Sequence, residues 1–209
     1  MSMSKPFDKY TDEYDAWFEE NRMAYESEIK AVKHFLPESG EGIEIGVGTG
    51  RFAGPLGIKH GLEPSVNMRA IAKDRGIDAV EGIAEKLPFD DNQFDFALMV
   101  TVVCFLDDAR AAFTEANRIL KNGGVLIIAF IDSESPLGQV YEKHKSKNEF
   151  YKHASFYSAE EIKKFLTESG FKNLQFIQTI FNNPSEINEL EDIEPGYGKG
   201  GFVVVKATK

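Results

Sequence analysis

The stretch Glu44-Ile45-Gly46-Val47-Gly48-Thr49-Gly50-Arg51-Phe52 decides the fold of this chain. It begins in the short run Ile43-Glu44-Ile45, which we interpret as the first strand, and leads into a short helical segment ending near Leu56. Glycines at a strand-to-helix turn remove the side chains that would keep a ligand away from the backbone, and the helix N-terminus adds free N–H donors. The pattern predicts a nucleoside-binding loop, with a tight turn that holds no ligand as the alternative.

An acidic residue follows the second predicted strand, since Glu63 lies 17 residues after Gly46. A carboxylate at that position can accept hydrogen bonds from both ribose hydroxyls of a nucleoside. A dinucleotide fingerprint needs a third glycine at position 51, where the chain has Arg51, and Gly50 comes one residue early. Glu44 would place negative charge near a pyrophosphate and better suits a cofactor with an ammonium group. The residues therefore disfavour a nicotinamide cofactor, and the absence of a following GK[ST] excludes a P-loop.

Predicted strands and helices alternate along most of the chain, which indicates a parallel, doubly wound α/β sheet. Ser65 and the Ser158-Ala159-Glu160-Glu161 capping box mark the starts of two helices, and Asp107 or Asp108 marks a third. The predicted strands cover residues 43–45, 59–63, 78–82, 94–100, 125–131, 174–180 and 202–205.

The composition excludes several classes of protein. The chain has 209 residues and a formal net charge of −10, so it has no general attraction for nucleic acids or anionic membranes. Cys104 is the single cysteine, which rules out an intrachain disulfide and a cysteine-rich zinc site. No apolar run approaches the ~18 residues of a membrane span, and the first residues lack the apolar core of a signal peptide. We therefore expect a cytoplasmic protein without a nucleic-acid or membrane partner and without a metal.

Several motifs in order resemble those of the class I S-adenosylmethionine-dependent methyltransferases, and most closely the small-molecule branch called the type 11 methyltransferase domain family. The motifs cover about residues 42–131, and a match from Phe156 to Phe171 extends them. They are Glu44-Ile45-Gly46-Val47-Gly48-Thr49-Gly50, Glu63-Pro64-Ser65, Gly82-Ile83-Ala84-Glu85-Lys86-Leu87-Pro88-Phe89, Phe94-Asp95 and Arg118-Ile119-Leu120-Lys121-Asn122-Gly123-Gly124.

The resemblance implies a single methyltransferase domain over residues 1–209, with S-adenosylmethionine as cofactor. Its expected fold is α/β, with a doubly wound, Rossmann-like sheet of seven mostly parallel strands, the last strand antiparallel. Residues 7–36 would form an N-terminal helical cap and residues 42–131 the cofactor-binding core. Residues 132–209 would supply the substrate-side helices and the last two strands.

The resemblance also implies cofactor roles for individual positions. Gly46, Gly48 and the strand end at Thr101 would face the methionine part and the ribose, Glu44 would bind the amino group, and Glu63 would bind the ribose hydroxyls. Pro64, Met68, Ile83, Ala84 and Glu85 would surround the adenine.

Two departures from the family pattern change what we expect of the site. Ile83 stands where the family usually has a polar residue, often Asp, so the backbone or Glu85 must serve the adenine amino group. The stretch from Gly50 to Glu63 is also short for the family. The first crossover helix should therefore be stubby and leave the cofactor pocket more open on that side.

Methyl transfer requires positioning and water exclusion rather than a nucleophilic side chain, so the sequence leaves the catalytic residue unidentified. Tyr14, on an aromatic helix face with Tyr10 and Phe18, is a candidate for the cofactor or the acceptor, since aromatic faces tolerate cations. Plain packing is the alternative.

Three further candidates each have an ordinary structural alternative. Arg22 could pair with the cofactor carboxylate or be solvated. His153 could be a general base or a surface histidine, and Cys104 could border the acceptor or be a small buried residue. The acids of residues 186–194 could form a lid for a cationic amine or a solvated face.

The leading functional hypothesis is methyl transfer from S-adenosylmethionine to a small molecule, with an amine among the acceptors considered. Thr101-Val102-Val103-Cys104 stands where methyltransferases of adenine rings or protein amides often have Asn-Pro-Pro-Tyr, so those substrates are not indicated. A nicotinamide-dependent oxidoreductase of Rossmann type and a non-catalytic S-adenosylmethionine-binding protein are the alternatives. The sequence leaves open the accepting atom (N, O, S or C) and the oligomeric state.

Overall fold

The computed structural model describes residues 5–209, and one sheet runs through its centre. The helices are α1 (Lys5–Lys9), α2 (Thr11–Glu20), α3 (Arg22–Phe35), α4 (Ala53–Leu56), α5 (Val66–Asp74), α6 (Ala109–Ile119), α7 (Pro136–His144) and α8 (Ala159–Glu168). The strands are β1 (Gly42–Ile45), β2 (His60–Leu62), β3 (Asp78–Val80), β4 (Phe94–Val100), β5 (Leu120–Ile131), β6 (Lys172–Thr179), β7 (Glu194–Pro195) and β8 (Phe202–Thr208).

The sheet confirms the predicted Rossmann-like architecture. Its strand order is β3-β2-β1-β4-β5-β8-β6-β7, with β1 to β5 parallel to one another and β8 antiparallel to both β5 and β6. The described strands number eight rather than the seven predicted, because the two-residue strand β7 pairs with β6 at the edge. A strand of two residues, one of them a proline, gives no signal in the sequence. Proline is tolerated there because an edge strand leaves the N–H groups on its outer side unpaired.

Helices cover both faces of the sheet. Along β4, Ala97 and Met99 pack with the helices α6 and α8, whereas Phe96, Leu98 and Val100 pack on the other face with α3 and α4. Successive side chains of a strand point to opposite faces, so a strand buried on both sides is apolar at nearly every position. This explains the continuous apolar runs of β4 and β5.

Side-chain caps begin the helices where the sequence predicted them. Ser158 and Glu161 form the capping box of α8, and the Asp108 carboxylate accepts hydrogen bonds from the backbone N–H groups of Arg110 and Ala111 at the start of α6. Ser65 accepts one from Met68 at the start of α5. No helix in residues 5–209 is long and apolar enough to cross a membrane.

The N-terminal segment forms three helices, α1 to α3, separated at Tyr10 and Asn21. An ionic cluster joins α2 to the glycine loop. The Asp15 carboxylate accepts hydrogen bonds from Thr49 Oγ1 at 2.7 Å, Arg51 Nε at 2.9 Å and Arg75 Nη2 at 2.8 Å. Burial alone would raise the pKa of Asp15, but these donors hold it well below its ordinary value.

The first crossover helix, α4, has only four residues, as expected. The prediction that the cofactor pocket is more open beside α4 is wrong, because α2 lies against this part of the chain. The rings of Phe18 and Phe52 contact edge to face at 6.2 Å, and the Arg51 guanidinium lies 5.5 Å from the centre of the Phe18 ring. The N-terminal helices thus occupy the space that a longer crossover helix would fill.

Candidate functional site

A cavity of about 400 Å³ lies at the carboxyl ends of β1, β2 and β4, where the strand order reverses between β1 and β4. Such a switch point is where open α/β sheets bind ligands. Gly46 and Gly48 line the cavity with φ angles of +75° and +55°, in the left-handed region that favours glycine. We call this space the glycine-loop cavity. Its wall also includes Phe7, Tyr14, Glu63, Pro64, Met68, Ile83, Ala84, Glu85, Thr101 and Asp107.

Glu63 is held rigidly at the wall of the glycine-loop cavity. One carboxylate oxygen accepts a hydrogen bond from the Gly48 backbone N–H at 2.9 Å, and the other accepts one from the Ser65 N–H, also at 2.9 Å. The residue is buried, and desolvation raises the pKa of its carboxyl above the ordinary value despite these two donors. Each oxygen keeps further lone pairs that could accept hydroxyl hydrogen bonds.

Glu44, in β1, is buried and its Oε2 atom has no hydrogen-bond partner among the described residues. Burial raises the pKa of this carboxyl well above its ordinary value, the Ala53 backbone N–H partly offsets this, and the nearby Glu63 charge adds to the rise. An unpaired buried carboxyl oxygen is costly. Glu44 therefore suits a ligand that brings a cation or a proton donor to it.

The far wall of the glycine-loop cavity contains the residues expected around an adenine. Ile83 is 52% exposed there, and Ala84 is buried beside it. Glu85 Oε1 accepts a hydrogen bond from the Asp107 N–H at 2.9 Å, so the carboxylate also supports the turn that precedes α6. Both Glu85 and the Ala84 backbone are thus at the cavity wall, where Ile83 offers no acceptor.

A second cavity, of about 200 Å³, adjoins the first. Phe7, Tyr14, Thr101 and Phe105 line both. We call it the aromatic cavity, because its wall also contains Trp17, Phe18, Phe52, Tyr141, Phe150, Tyr151 and Phe202. Glu28, from the middle of α3, lies in the same wall.

Two β-branched residues of the aromatic cavity have left-handed backbone conformations. Thr101 has φ of +53° and Ile180 has φ of +61°. This conformation is unfavourable for β-branched side chains, and such strain concentrates at functional sites because the surrounding structure must impose it. Thr101 directly follows β4, so the strain lies where the two cavities meet.

Tyr14 lies between the two cavities. A Cβ atom added to Gly48 would lie 3.3 Å from the Tyr14 hydroxyl oxygen, so the phenol reaches the glycine loop. Burial and, next, the charge of Glu44 raise the pKa of Tyr14 and keep the hydroxyl protonated. The hydroxyl can therefore donate a hydrogen bond at the junction of the two cavities.

The structure places three candidate residues differently from the functional expectation. The Arg22 side chain is 69% exposed and its guanidinium pairs with Glu26 at 2.7 Å, one helical turn along α3, rather than facing the cofactor cavity. His153 is exposed in a 3₁₀ turn and lines neither cavity, which favours the alternative of a surface histidine. Cys104 donates to the Thr101 carbonyl at 3.4 Å, and burial raises its pKa to about 12, which disfavours a reactive thiolate.

The acidic stretch 186–194 packs beside α3 rather than over either cavity. The Glu191 N–H donates to Ser27 Oγ at 3.0 Å, and its carboxylate binds the Asn182 side chain at 2.7 Å. Of the two alternatives for this stretch, the structure therefore favours a solvated face over a lid. The acidic residues that line the aromatic cavity are Glu13 and Glu28 instead.

Sequence reasoning missed Glu28 and the Asp15 cluster. Glu28 is on the buried stripe of α3 with Ala24, Ala31 and Val32, and an acid on an apolar helix face is the signal that could have identified it. The Asp15 cluster gives no local signal, because Arg75 is 60 residues away. Arg51 appeared only as a departure from a dinucleotide fingerprint.

Comparison with known proteins identifies the family. The family described as methyltransferase domain matches residues 43–128. A crystal structure of a Thermotoga maritima S-adenosylmethionine-dependent methyltransferase, described as a possible histamine N-methyltransferase, is 51% identical, with a TM-score of 0.96 over 99% of both chains. An uncharacterized protein of Methanocaldococcus jannaschii is 49% identical over 97% of this chain and 98% of its own. A Staphylococcus aureus demethylmenaquinone methyltransferase is 27% identical over 58% of this chain and 61% of its own.

The chain belongs to the S-adenosylmethionine-dependent methyltransferases. The predicted fold and cofactor are confirmed, and the nicotinamide alternative is set aside. The glycine-loop cavity fits that cofactor. It has glycines where a ligand approaches, the Glu63 carboxylate at its wall, and an unpaired carboxyl oxygen nearby at Glu44.

Proposed function

We propose that the chain transfers a methyl group from S-adenosylmethionine to a small-molecule amine held in the aromatic cavity. The observation that carries this proposal is the junction of the two cavities at Tyr14 and Thr101. A methyl donor on one side of such a junction and an acceptor on the other would lie next to each other.

Individual residues would hold the cofactor in the glycine-loop cavity. Glu63 would accept the ribose hydroxyl hydrogen bonds, Glu44 would receive the ammonium group, and Pro64 and Met68 would contact the adenine. When bound, S-adenosylmethionine supplies a methyl carbon made electrophilic by its positively charged sulfur. The aromatic wall would keep water from the reacting atoms. Water exclusion and positioning are what methyl transfer requires of the protein.

The lining of the aromatic cavity supports an amine as the acceptor. Its aromatic rings favour contact with a cation, and no Lys, Arg or His from residues 5–209 lines it. A dry cavity of about 150 Å³ can hold benzene. A cavity of about 200 Å³ thus suits an acceptor the size of a substituted aromatic ring. The Thermotoga maritima protein, described as a possible histamine N-methyltransferase, agrees with this chemistry.

A turnover screen tests the proposal. The protein is incubated with S-adenosylmethionine and a panel of amines, phenols, thiols and quinols, and S-adenosylhomocysteine is measured by chromatography. We expect turnover with at least one aromatic amine. Turnover confined to phenols, thiols or quinols would overturn the amine assignment.

Calorimetry with S-adenosylhomocysteine separates failure of the acceptor from failure of the cofactor site. Binding without turnover on any acceptor would favour a non-catalytic S-adenosylmethionine-binding protein. We expect a Kd in the micromolar range or tighter, which corresponds to about −8 kcal/mol.

A further inference from the structure

Glu28 is a buried carboxyl group without a partner. The residue is 8% exposed, and no residue in the described part of the chain forms a hydrogen bond or an ion pair with its side chain. An acid in this position costs folding free energy, since helix α3 would be better packed with an apolar residue there. A group that destabilises the fold and faces a cavity is a candidate for ligand binding.

The surroundings of Glu28 contain no charge that could neutralise it from within the protein. The titratable groups that face it are the hydroxyls of Tyr14 from α2, Tyr141 from α7 and Tyr151 from the 3₁₀ turn Tyr151–His153. Glu13 lies at the cavity wall on the exposed side of α2. Burial raises the pKa of Tyr141 to about 12 and raises those of Tyr14 and Tyr151, so these phenols stay neutral. A positive charge beside Glu28 must therefore come from a ligand.

We propose that Glu28 is the acceptor-binding residue of the aromatic cavity, where it pairs with the ammonium group of the substrate and takes its proton before methyl transfer. The substrate class is a primary or secondary amine with an apolar or aromatic body. This inference rests on the proposed function, because it assigns the acceptor side of the same site. Aromatic rings on several sides of the cavity would contact the apolar body and also the cation.

The reaction of a protonated amine requires a proton acceptor, which Glu28 would provide. An ammonium nitrogen has no lone pair, so one proton must leave before it can attack the methyl carbon. The Glu28 carboxylate accepts that proton and becomes the neutral acid. The nitrogen lone pair then forms the N–C bond while the C–S electron pair returns to sulfur, and the proton passes from Glu28 to water.

The electrostatics of Glu28 suit this exchange. Burial raises the pKa of its carboxyl to about 8, which is close to the range where a general base is most effective. The carboxylate fraction of the free enzyme therefore rises as the pH passes through about 8. Pairing with an ammonium ion would favour the carboxylate and lower that pKa in the complex.

The test compares Glu28→Gln with Glu26→Gln, a matched change on the exposed side of the same helix. Binding of phenethylamine, benzylamine and tyramine to the protein saturated with S-adenosylhomocysteine is measured by calorimetry, with phenethyl alcohol as the uncharged analogue. We expect Glu28→Gln to weaken amine binding by about 30-fold or more and to leave the alcohol unchanged. Glu26→Gln should behave as the unchanged protein does.

Separate outcomes distinguish the two proposals. If S-adenosylhomocysteine does not bind the unchanged protein, the proposed function fails. If it binds but no amine of the panel binds, or if Glu28→Gln binds amines as tightly as Glu26→Gln does, the assignment of Glu28 is overturned and the methyltransferase stands.

A direct titration of the Glu28 carboxyl distinguishes proton transfer from a role in packing alone. Infrared difference spectra of protein labelled with ¹³C-glutamate should show a protonated carboxyl component that disappears with pH near 8. This component, unlike those of Glu44 and Glu63, should be missing in Glu28→Gln. Saturation with phenethylamine should remove the band at neutral pH. A band that does not change when the amine binds would overturn the proton transfer.

Discussion

Glu63 is fixed by two backbone N–H groups, so its position does not depend on a bound ligand. We expect Glu63→Gln to retain the fold but weaken S-adenosylhomocysteine binding by tenfold or more, because charge-assisted hydrogen bonds contribute about 1.5–3 kcal/mol each. The amide would also turn an N–H group towards one of the backbone donors. Calorimetry measures the affinity, and circular dichroism checks the fold. An affinity equal to that of the unchanged protein would show that the ribose lies elsewhere.

Single residues differ in how far the sequence could predict them. The placement of Gly46, Gly48 and Glu63 at one cavity could be predicted, because the carboxyl ends of two adjacent parallel strands meet at the same edge of a sheet. Arg22 was misplaced because one helical turn brings it to Glu26, a local pairing that competes with any distant ligand. A role for Glu28 could not be predicted, since the aromatic rings that form the cavity around it come from segments far apart in the chain.

Among the structural elements, helix α2 is joined to the glycine loop mainly through the Asp15 carboxylate, beside the Glu19–Arg51 pair and the ring contact of Phe18 with Phe52. We expect Asp15→Asn to leave Arg51 and Arg75 without their main partner and to destabilise the protein by about 2 kcal/mol, between the values for exposed and buried pairs. Hydrogen exchange should become faster in residues 11–35. S-adenosylhomocysteine affinity should fall, because α2 carries Tyr14 to the cavity wall.

The control for Asp15→Asn is Glu26→Gln, which breaks the exposed pair with Arg22 on the same helical segment. That change should affect stability by less than about 0.5 kcal/mol. Equal exchange rates in α2 for both variants would show that aromatic packing, and not the ionic cluster, attaches the helix.

The elements show where sequence patterns are sufficient and where they are not. Helices α5, α6 and α8 were predicted at their N-termini because a capping side chain is adjacent to the helix it caps. The cover over α4 could not be predicted, because it depends on the distant contact between Phe18 and Phe52. A short crossover helix therefore does not by itself indicate an open pocket.

For the whole molecule, three buried carboxyls determine how stability varies with pH. Burial raises the pKa of Glu28 to about 8 and raises those of Glu44 and Glu63. The folded protein holds protons that the unfolded chain releases near pH 4.5, so the associated stability is fully present below that pH. It is lost as the pH rises through the folded pKa values.

We expect the free energy of unfolding to be higher at pH 5.5 than at pH 8.5, with Glu28 alone contributing on the order of 3 kcal/mol. Urea denaturation of the cofactor-free protein at both pH values measures the difference, and Glu28→Gln should reduce it. Identical unfolding midpoints at the two pH values would contradict the assignment of these carboxyls as protonated in the fold.

The position of β8 between β5 and β6 has a consequence for biosynthesis. Strand β6 leaves the ribosome before β8, but only the two-residue edge strand β7 can pair with it until β8 arrives and joins it to β5. Ile180 and Phe202, which follow β6 and begin β8, reach their places in the aromatic cavity only at that step. A nascent chain can thus assemble the glycine-loop cavity early, while the aromatic cavity waits for β8. Under the proposed function, the cofactor site would form before the acceptor site.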